Sequence, residues 1–325
     1  MSELTIREAI ATGLREALDN DPKVFMMGED IGAYGGPYAV TRGFFDQYGP
    51  ERIRDTPISE SVIVGAGVGA AMAGLHPIVE LMTINFSLLA ADQIVNHAAK
   101  IHYMTNGQYS VPLLIRTVTG GGAGLGPTHS QSFEGWYSSI PGLKVVAPST
   151  PIDALGLLRS CLKDNNPVLF CEHALLYGVR GEVPSNYYEI PLGSARIERT
   201  GTDLTIICYG KMVGLASEAA KTLSEKGIET EVIDLRSLRP IDTDSLIASV
   251  EKTHRCLVLD EMWKTGALGT YIAYTIQKEA FDSLDAPVAH LGGEDVPSPF
   301  SKELEDLAFP TTQSILKTIE ESFGL

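Results

Sequence analysis

Only four cysteines occur in 325 residues, Cys161, Cys171, Cys208 and Cys256, and no two of them form a C-x-x-C pair. That spacing excludes a zinc ribbon or a dithiol redox motif and leaves buried free thiols as the reading. Cationic side chains are also scarce, since 25 Lys and Arg against 41 Asp and Glu give a formal net charge of -16. Phosphate backbones and anionic lipid surfaces repel such a chain unless basic groups cluster, and none do, so neither nucleic acid nor a membrane is an expected partner. No apolar stretch reaches the ~18 residues of a membrane span. The first residues have neither the apolar core of a secretory signal nor the Arg/Ser-rich character of a transit peptide, so the expected location is cytoplasmic. A fixed-period repeat and a low-complexity tract are likewise missing.

What is present is a hydrophobic fraction of 44% arranged in alternating strand-like and helix-like segments, the pattern of a two-domain α/β chain. Thr5-Ile6-Arg7-Glu8 reads as a capping box opening a helix whose face is Ile6, Ile10, Leu14 and Leu18, stopped by Asp21-Pro22. Strands are expected at 24–27, 77–81, 112–118, 144–147 and 168–172, with helices near 90–104 and 151–164. From Tyr177 to Gly201 the hydrophobic period weakens as in a surface linker. Beyond it, strands are expected at 204–209, 230–234, 256–260 and 288–291, paired mainly in parallel. The division is therefore 1–185, a linker 186–200, and 201–325.

Two glycine-rich stretches invite nucleotide readings. Val62 to Ala70 matches a strand entering a G-x-G-x-x-A dinucleotide turn through Gly65 and Gly67, with Glu80 as the acidic residue, which would make the chain an NAD-dependent oxidoreductase. Against this, only about two helical turns fit before Gly74. The better reading is a helix from an N-cap at Ser59 or Ser61 to Gly74, with Gly65, Gly69 and Ala73 forming a smooth ridge for another helix or subunit. Thr119 to Gly126 lacks the Gly-Lys-Ser/Thr ending of a phosphate-binding loop and leads to His129. It reads either as an element closing over a site or as a loose surface connection. Glu60, at the mouth of the first stretch, is either a carboxylate for cofactor chemistry or a helix-start charge favoured by the macrodipole. His97 and His102 lie five apart, on different helical faces, and with His76, His173, His254 and His290 they make no metal-ligand set.

In order along the chain, Asp55-Thr56-Pro57-Ile58-Ser59-Glu60, Gly65 to Gly74, Asn85-Phe86-Ser87, Ala91-Asp92-Gln93-Ile94, Thr128-His129-Ser130-Gln131 and Pro141-Gly142-Leu143-Lys144-Val145-Val146 resemble the beta subunits of thiamine-diphosphate-dependent 2-oxoacid dehydrogenases. Asp164-Asn165-Asn166-Pro167, Asp234-Leu235-Arg236 and Gly292 to Pro297 continue the match over nearly the full length. The resemblance implies a pyrimidine-binding thiamine-diphosphate domain with a parallel sheet, followed by a transketolase-C-like α/β domain. It also implies that an alpha subunit holds the diphosphate through Mg2+ with a Gly-Asp-Gly motif, which this chain lacks.

By the same resemblance, Glu60 hydrogen-bonds the cofactor's pyrimidine nitrogen, Phe86 stacks on that ring, Met82 packs near it, and His129 assists transfer of the acyl group to a lipoyl disulfide. Without it, Phe86 and Met82 read as core. A monovalent cation, K+ in kind, is implied at Leu113, Cys161, Leu162, Asp164 and Asn166, mainly through backbone oxygens. Asp295 and Leu325 fall in the region implied to dock the dihydrolipoyl acyltransferase core, within an alpha2-beta2 assembly. The expected substrate is pyruvate, with branched-chain 2-oxoacids or acetoin as alternatives. The readings of a different class are the NAD-dependent enzyme and a noncatalytic scaffold.

Overall fold

Thr5 opens the first helix, Ile6–Asn20, through a reciprocal capping box: its hydroxyl accepts from the Glu8 N–H while the Glu8 carboxylate accepts from the Thr5 N–H. Ile6, Ile10, Leu14 and Leu18 are buried along one face, the 3.6-residue period turned inward. Gly13 lets this helix approach the helix Pro151–Leu162 closely, because a Cβ there would sit 2.8 Å from Leu158. Arg159 locks the pair with a two-pronged ion pair to Glu16.

The computed structural model describes residues 1–325, which divide into two compact units, Met1–Thr119 with Tyr137–Leu192, and Gly120–Trp136 with Gly193–Leu325. The first unit is discontinuous in the chain, interrupted by residues 120–136.

In the first unit the strands are β1 (Ser2–Thr5), β2 (Val24–Gly28), β3 (Ile53–Asp55), β4 (His76–Leu81), β5 (Leu114–Thr119), β6 (Lys144–Val146), β7 (Val168–His173) and β8 (Arg180–Val183). Six pair in parallel in the order β6-β7-β5-β4-β2-β3. Parallel strands covered on both faces read as continuous apolar runs, and β5 and β7 are buried throughout. β1 and β8 form a separate antiparallel pair.

The chain runs from β2 outward to β3, then returns across β2 to β4, so the strand order reverses between β2 and β4. The crossover carries the helix Glu60–Met72, so the Gly/Ala stretch is helical and the dinucleotide turn at Gly65–Gly67 does not exist. Of the expected ridge, Gly65 packs against Gln93, 3.1 Å from an added Cβ, while Gly69 and Ala73 stay on the exposed side of the helix. Gly67 makes the close approach, 2.8 Å from Val79 and 3.0 Å from Leu113 for an added Cβ, whereas Gly69 meets nothing and Ala73 is exposed. The sheet-facing residues are Glu60, Ile63, Val64, Gly67, Val68 and Ala71, and that face excludes positions 69 and 73.

The expected helix at 90–104 is broken into a 3-10 segment Ile84–Ala90, a π-helical turn Gln93–Ala98 and a short α-helix Ile101–Met104.

The second unit is built on a five-stranded sheet in which β9 (Arg196–Arg199), β10 (Leu204–Cys208), β11 (Thr230–Asp234), β13 (Cys256–Trp263) and β14 (Ala289–Gly293) follow the order β14-β13-β10-β11-β9; β12 (Ser237–Arg239) is a short strand outside it. All its pairings are parallel except β9 with β11. β9 lies in the expected linker, where Ile197 between charged residues gave no strand signal. All four cysteines are buried and free, and burial pushes the Cys161, Cys208 and Cys256 thiols well above their ordinary range. No helix is long and apolar enough to cross a membrane.

Candidate functional site

In an open parallel sheet, ligands settle beyond the carboxyl ends of the strands where the order reverses. Here that crevice lies at the ends of β2 and β4. The register sets Gly28 beside both Asp55 and Glu80. Hence Glu29, the segment Thr56 to Glu60, and Met82 all emerge from adjacent strand ends at one edge. The backbone turns sharply there: Asp30 is left-handed at φ 54, and Asp55 accepts from the Gly32 N–H at 2.6 Å.

Glu60 is the first residue of its helix and is 3% exposed. Ser59 occupies the N-cap position but makes no side-chain cap bond. Glu29, also buried, hydrogen-bonds Glu60. Burial, the charges of Glu60 and Asp30, and that hydrogen bond all raise the Glu29 pKa above the ordinary carboxylate value of 4.5. The raised pKa favours the neutral form of Glu29 beside the Glu60 carboxyl group. Sequence reasoning missed Glu29; its signal was an acidic residue directly following an apolar strand.

Met82 and Phe86 are half-buried, so neither is simply core. Thr83 places the 3-10 segment that carries Phe86, its carbonyl accepting from the Phe86 N–H and its hydroxyl from Asn85. The Tyr137 hydroxyl donates to Ser87 Oγ at 2.7 Å and fixes the next residue.

The strand beneath is held by a buried ion cluster. Arg116 on β5, 2% exposed, donates to Glu172 on β7 at 2.7 and 2.8 Å and to Glu80 on β4, and Tyr177 donates to Glu172 at 2.6 Å. Glu80 is thus a structural carboxylate, not a ribose ligand. Burial raises its pKa, partly offset by Arg116.

The expected cation residues lie together within the first unit. The Asp164 carboxylate is engaged by the Lys144 ammonium, the Asn166 N–H and the Asn166 side-chain amide. The Leu113 and Cys161 carbonyls accept from Val168 and Asp164, and each carbonyl has a second lone pair. No group of three or more His, Cys, Asp or Glu side chains could hold a metal ion.

In the second unit, His129 is exposed on the glycine stretch, its Nδ1 2.8 Å from the Thr128 hydroxyl and its N–H donating to the Gly126 carbonyl. That stretch is not loose. Gly121 donates to Glu261, Gly122 and Gly124 donate to Glu305, and the Phe309 and Phe300 rings lie against Gly121 and Gly126. Asp295 is exposed and accepts from the Thr265 hydroxyl at 3.4 Å, while Leu325 is half-buried against the second core.

Residues 2–179 match the family model for the transketolase pyrimidine-binding domain, and residues 193–315 match that for the transketolase C-terminal domain. The rice (Oryza sativa subsp. japonica) mitochondrial pyruvate dehydrogenase E1 component subunit beta-2 is 46% identical over 98% of this chain and 86% of its own length. The pyruvate dehydrogenase E1 component subunit beta of Rickettsia felis is 45% identical over 98% of both chains, and the mitochondrial one of Bos taurus is 46% identical over 99% of this chain and 91% of its own. A solved split-gene transketolase, described as an inactive beta4 tetramer, superposes over 99% of each chain with a TM-score of 0.81 at 23% identity, a likeness of fold alone. A thiamine-diphosphate-type pyrimidine domain, a transketolase C-terminal domain and full-length identity near half together place this chain in the family of pyruvate dehydrogenase beta subunits.

Proposed function

We propose that this chain, joined to an alpha subunit in an alpha2-beta2 assembly, decarboxylates pyruvate with thiamine diphosphate and passes the acetyl group reductively to the lipoyl group of a dihydrolipoyl acyltransferase. The observation that carries this reading is the buried carboxylate pair Glu60 and Glu29 at the switch point, beside half-buried Phe86 and Met82. These residues fit the aminopyrimidine end of the cofactor. When bound, thiamine diphosphate supplies the electron sink for loss of carbon dioxide. Glu60 would hydrogen-bond the pyrimidine ring nitrogen and exchange a proton there, with the Glu29 carboxyl group beside it. Phe86 offers a flat face to the ring and Met82 a polarizable thioether.

The diphosphate and Mg2+ belong to the alpha subunit in this reading, since this chain has neither a Gly-Asp-Gly motif nor a metal-binding side-chain group. His129, oriented through Nδ1 by Thr128, exchanges a proton during transfer to the lipoyl disulfide. Further parts of the proposal are K+ on the Leu113, Cys161, Leu162, Asp164 and Asn166 segment, docking of the acyltransferase through Asp295 and Leu325, functional domains at 1–185 and 201–325 joined by 186–200, and a cytoplasmic location.

The test is reconstitution with an alpha subunit and comparison of pyruvate, 2-oxoisovalerate and acetoin. Pyruvate is expected to give the highest kcat/KM; preference for either competitor overturns the substrate assignment. Glu60→Gln is expected to lower decarboxylation by ~10²–10⁴, the usual worth of general acid-base catalysis, with no fall in its thermal midpoint. Unchanged carbon dioxide release would remove Glu60 from the chemistry. His129→Ala should impair lipoyl acylation more than carbon dioxide release, and equal loss of both assigns it a different task.

A further inference from the structure

The stretch Gly120 to Gly126 is glycine-rich in a way that turns backbone N–H groups toward one side. Gly122 and Gly124 have φ of 95° and 68°, a left-handed region closed to most side chains. Successive N–H groups in such a turn form a concavity suited to an anion. In this chain the anion is internal. Glu305, fully buried on the helix Lys302–Ala308, accepts from Gly122 at 3.0 Å and from Gly124 at 3.1 and 3.0 Å. Glu261, at the end of β13, accepts from Gly121 at 2.9 Å. The ring atoms of Phe309 stand 2.3 Å from where a Gly121 Cβ would be, and those of Phe300 stand 2.4 Å from a Gly126 Cβ, so only glycine admits these contacts. The Gly126 carbonyl accepts the His129 main-chain N–H, which ties the backbone of that residue to the held stretch.

We propose that Glu305 is the positioning residue of the histidine-bearing loop: its carboxylate fills the glycine concavity from the C-terminal segment and fixes where His129 is presented. The part concerning His129 rests on the reading of that residue given above. A carboxylate is suited to this because Oε1 accepts from both N–H groups and Oε2 adds a second bond to Gly124, all charge-assisted, whereas an amide makes neutral bonds and replaces one oxygen with a donor that opposes the Gly124 N–H. The anchor lies far along the chain from the loop it holds, so loop order depends on how residues 300–309 are packed.

The experiment uses the assembled enzyme with Glu305→Gln, which keeps shape and volume, and Glu305→Asp, which keeps charge with a shorter reach. Hydrogen exchange at the amides of Gly122 and Gly124 is measured alongside lipoyl acylation and carbon dioxide release, with His129→Ala as reference. In Glu305→Gln both amides should exchange about tenfold faster or more, as expected when charge-assisted bonds become neutral. Lipoyl acylation should fall by a comparable factor while carbon dioxide release stays within about twofold, the split expected of a lost contact to one step only. Glu305→Asp should recover part of both. Unchanged exchange in Glu305→Gln overturns the proposal, as does faster exchange with undiminished acylation when His129→Ala itself loses acylation. Should His129→Ala retain acylation, the role given to His129 fails, and the exchange rates alone still decide whether Glu305 holds the loop.

Discussion

Arg116→Met isolates what the buried ion cluster does for the first unit. The guanidinium makes three charge-assisted bonds to two carboxylates that are themselves buried, and it is 2% exposed, so water does not take its place when it is removed. Burial alone pulls the Arg116 pKa down, but Glu172 and Glu80 outweigh it and hold the group charged. Removing one partner of a buried pair costs ~3–5 kcal/mol, most of it the penalty of the charge left behind. For a cooperative unit of ~150–250 residues each kcal/mol moves the midpoint by ~2–4 °C, so a fall of roughly 6–20 °C is expected near neutral pH.

The sign of the pH dependence follows from proton uptake. Glu80 already has a raised pKa in the folded chain, and removing Arg116 takes away what offsets that rise, so this carboxylate binds a proton more tightly folded than unfolded. The deficit should therefore shrink as pH falls through the raised folded value of Glu80 toward the ordinary carboxylate range. Adding Glu80→Gln to Arg116→Met should recover part of the loss, because one unpaired charge is gone. Differential scanning calorimetry across pH reads all three. A variant whose midpoint matches the parent at neutral pH, or whose deficit is flat with pH, refutes the argument.

Glu29→Gln probes the carboxylate pair. The folded-state pKa of Glu29 is raised by burial and by Glu60, so its ionisation weakens the fold progressively as pH rises from about 4.5 through the raised value. The variant's thermal midpoint should exceed the parent's by an amount that grows over that window; a pH-independent difference sinks the assignment. Gly142→Ala meets two obstacles, φ of 92° and a Cβ 1.9 Å from the Ala99 carbonyl oxygen, and should destabilise by at least ~2 kcal/mol in denaturant titration. Gly67→Ala, in an unstrained helix but 2.8 Å from Val79, should cost ~1–3 kcal/mol by overpacking, whereas Gly69→Ala, with nothing near it, should stabilise by ~0.4–1 kcal/mol.

What could be read from the sequence was whatever local pattern decides. The capping box at Thr5 to Glu8 and the apolar strands at Val168 and Leu204 are set by neighbours a few residues away, and they stand where the pattern put them. The Gly/Ala helix was legible because two turns are too few for the rival motif. Illegible features depend on distant partners. Glu80 looked like a nucleotide ligand until the register set it opposite Arg116. The strand Arg196–Arg199 exists through its antiparallel pairing with β11, not through its own composition. The glycine stretch before His129 looked equally like a lid or a loose tether, because the carboxylates that hold it, Glu261 and Glu305, lie far along the chain. Of the pyrimidine-site residues, Glu60, Met82 and Phe86 were named through family motifs, whereas Glu29 required knowing that strand ends β2 and β3 are adjacent.

The antiparallel ribbon joining Ser2–Thr5 to Arg180–Val183 has a consequence for biosynthesis. Its two strands are separated by nearly one hundred and eighty residues of chain, so the partner is translated long after the first strand. At ~5–20 residues per second that interval is roughly ten to forty seconds. Through it the amino-terminal segment stands as an unpaired edge, open to association with another nascent copy. Expression speed, and whatever shields nascent chains, therefore bears on yield through this seam.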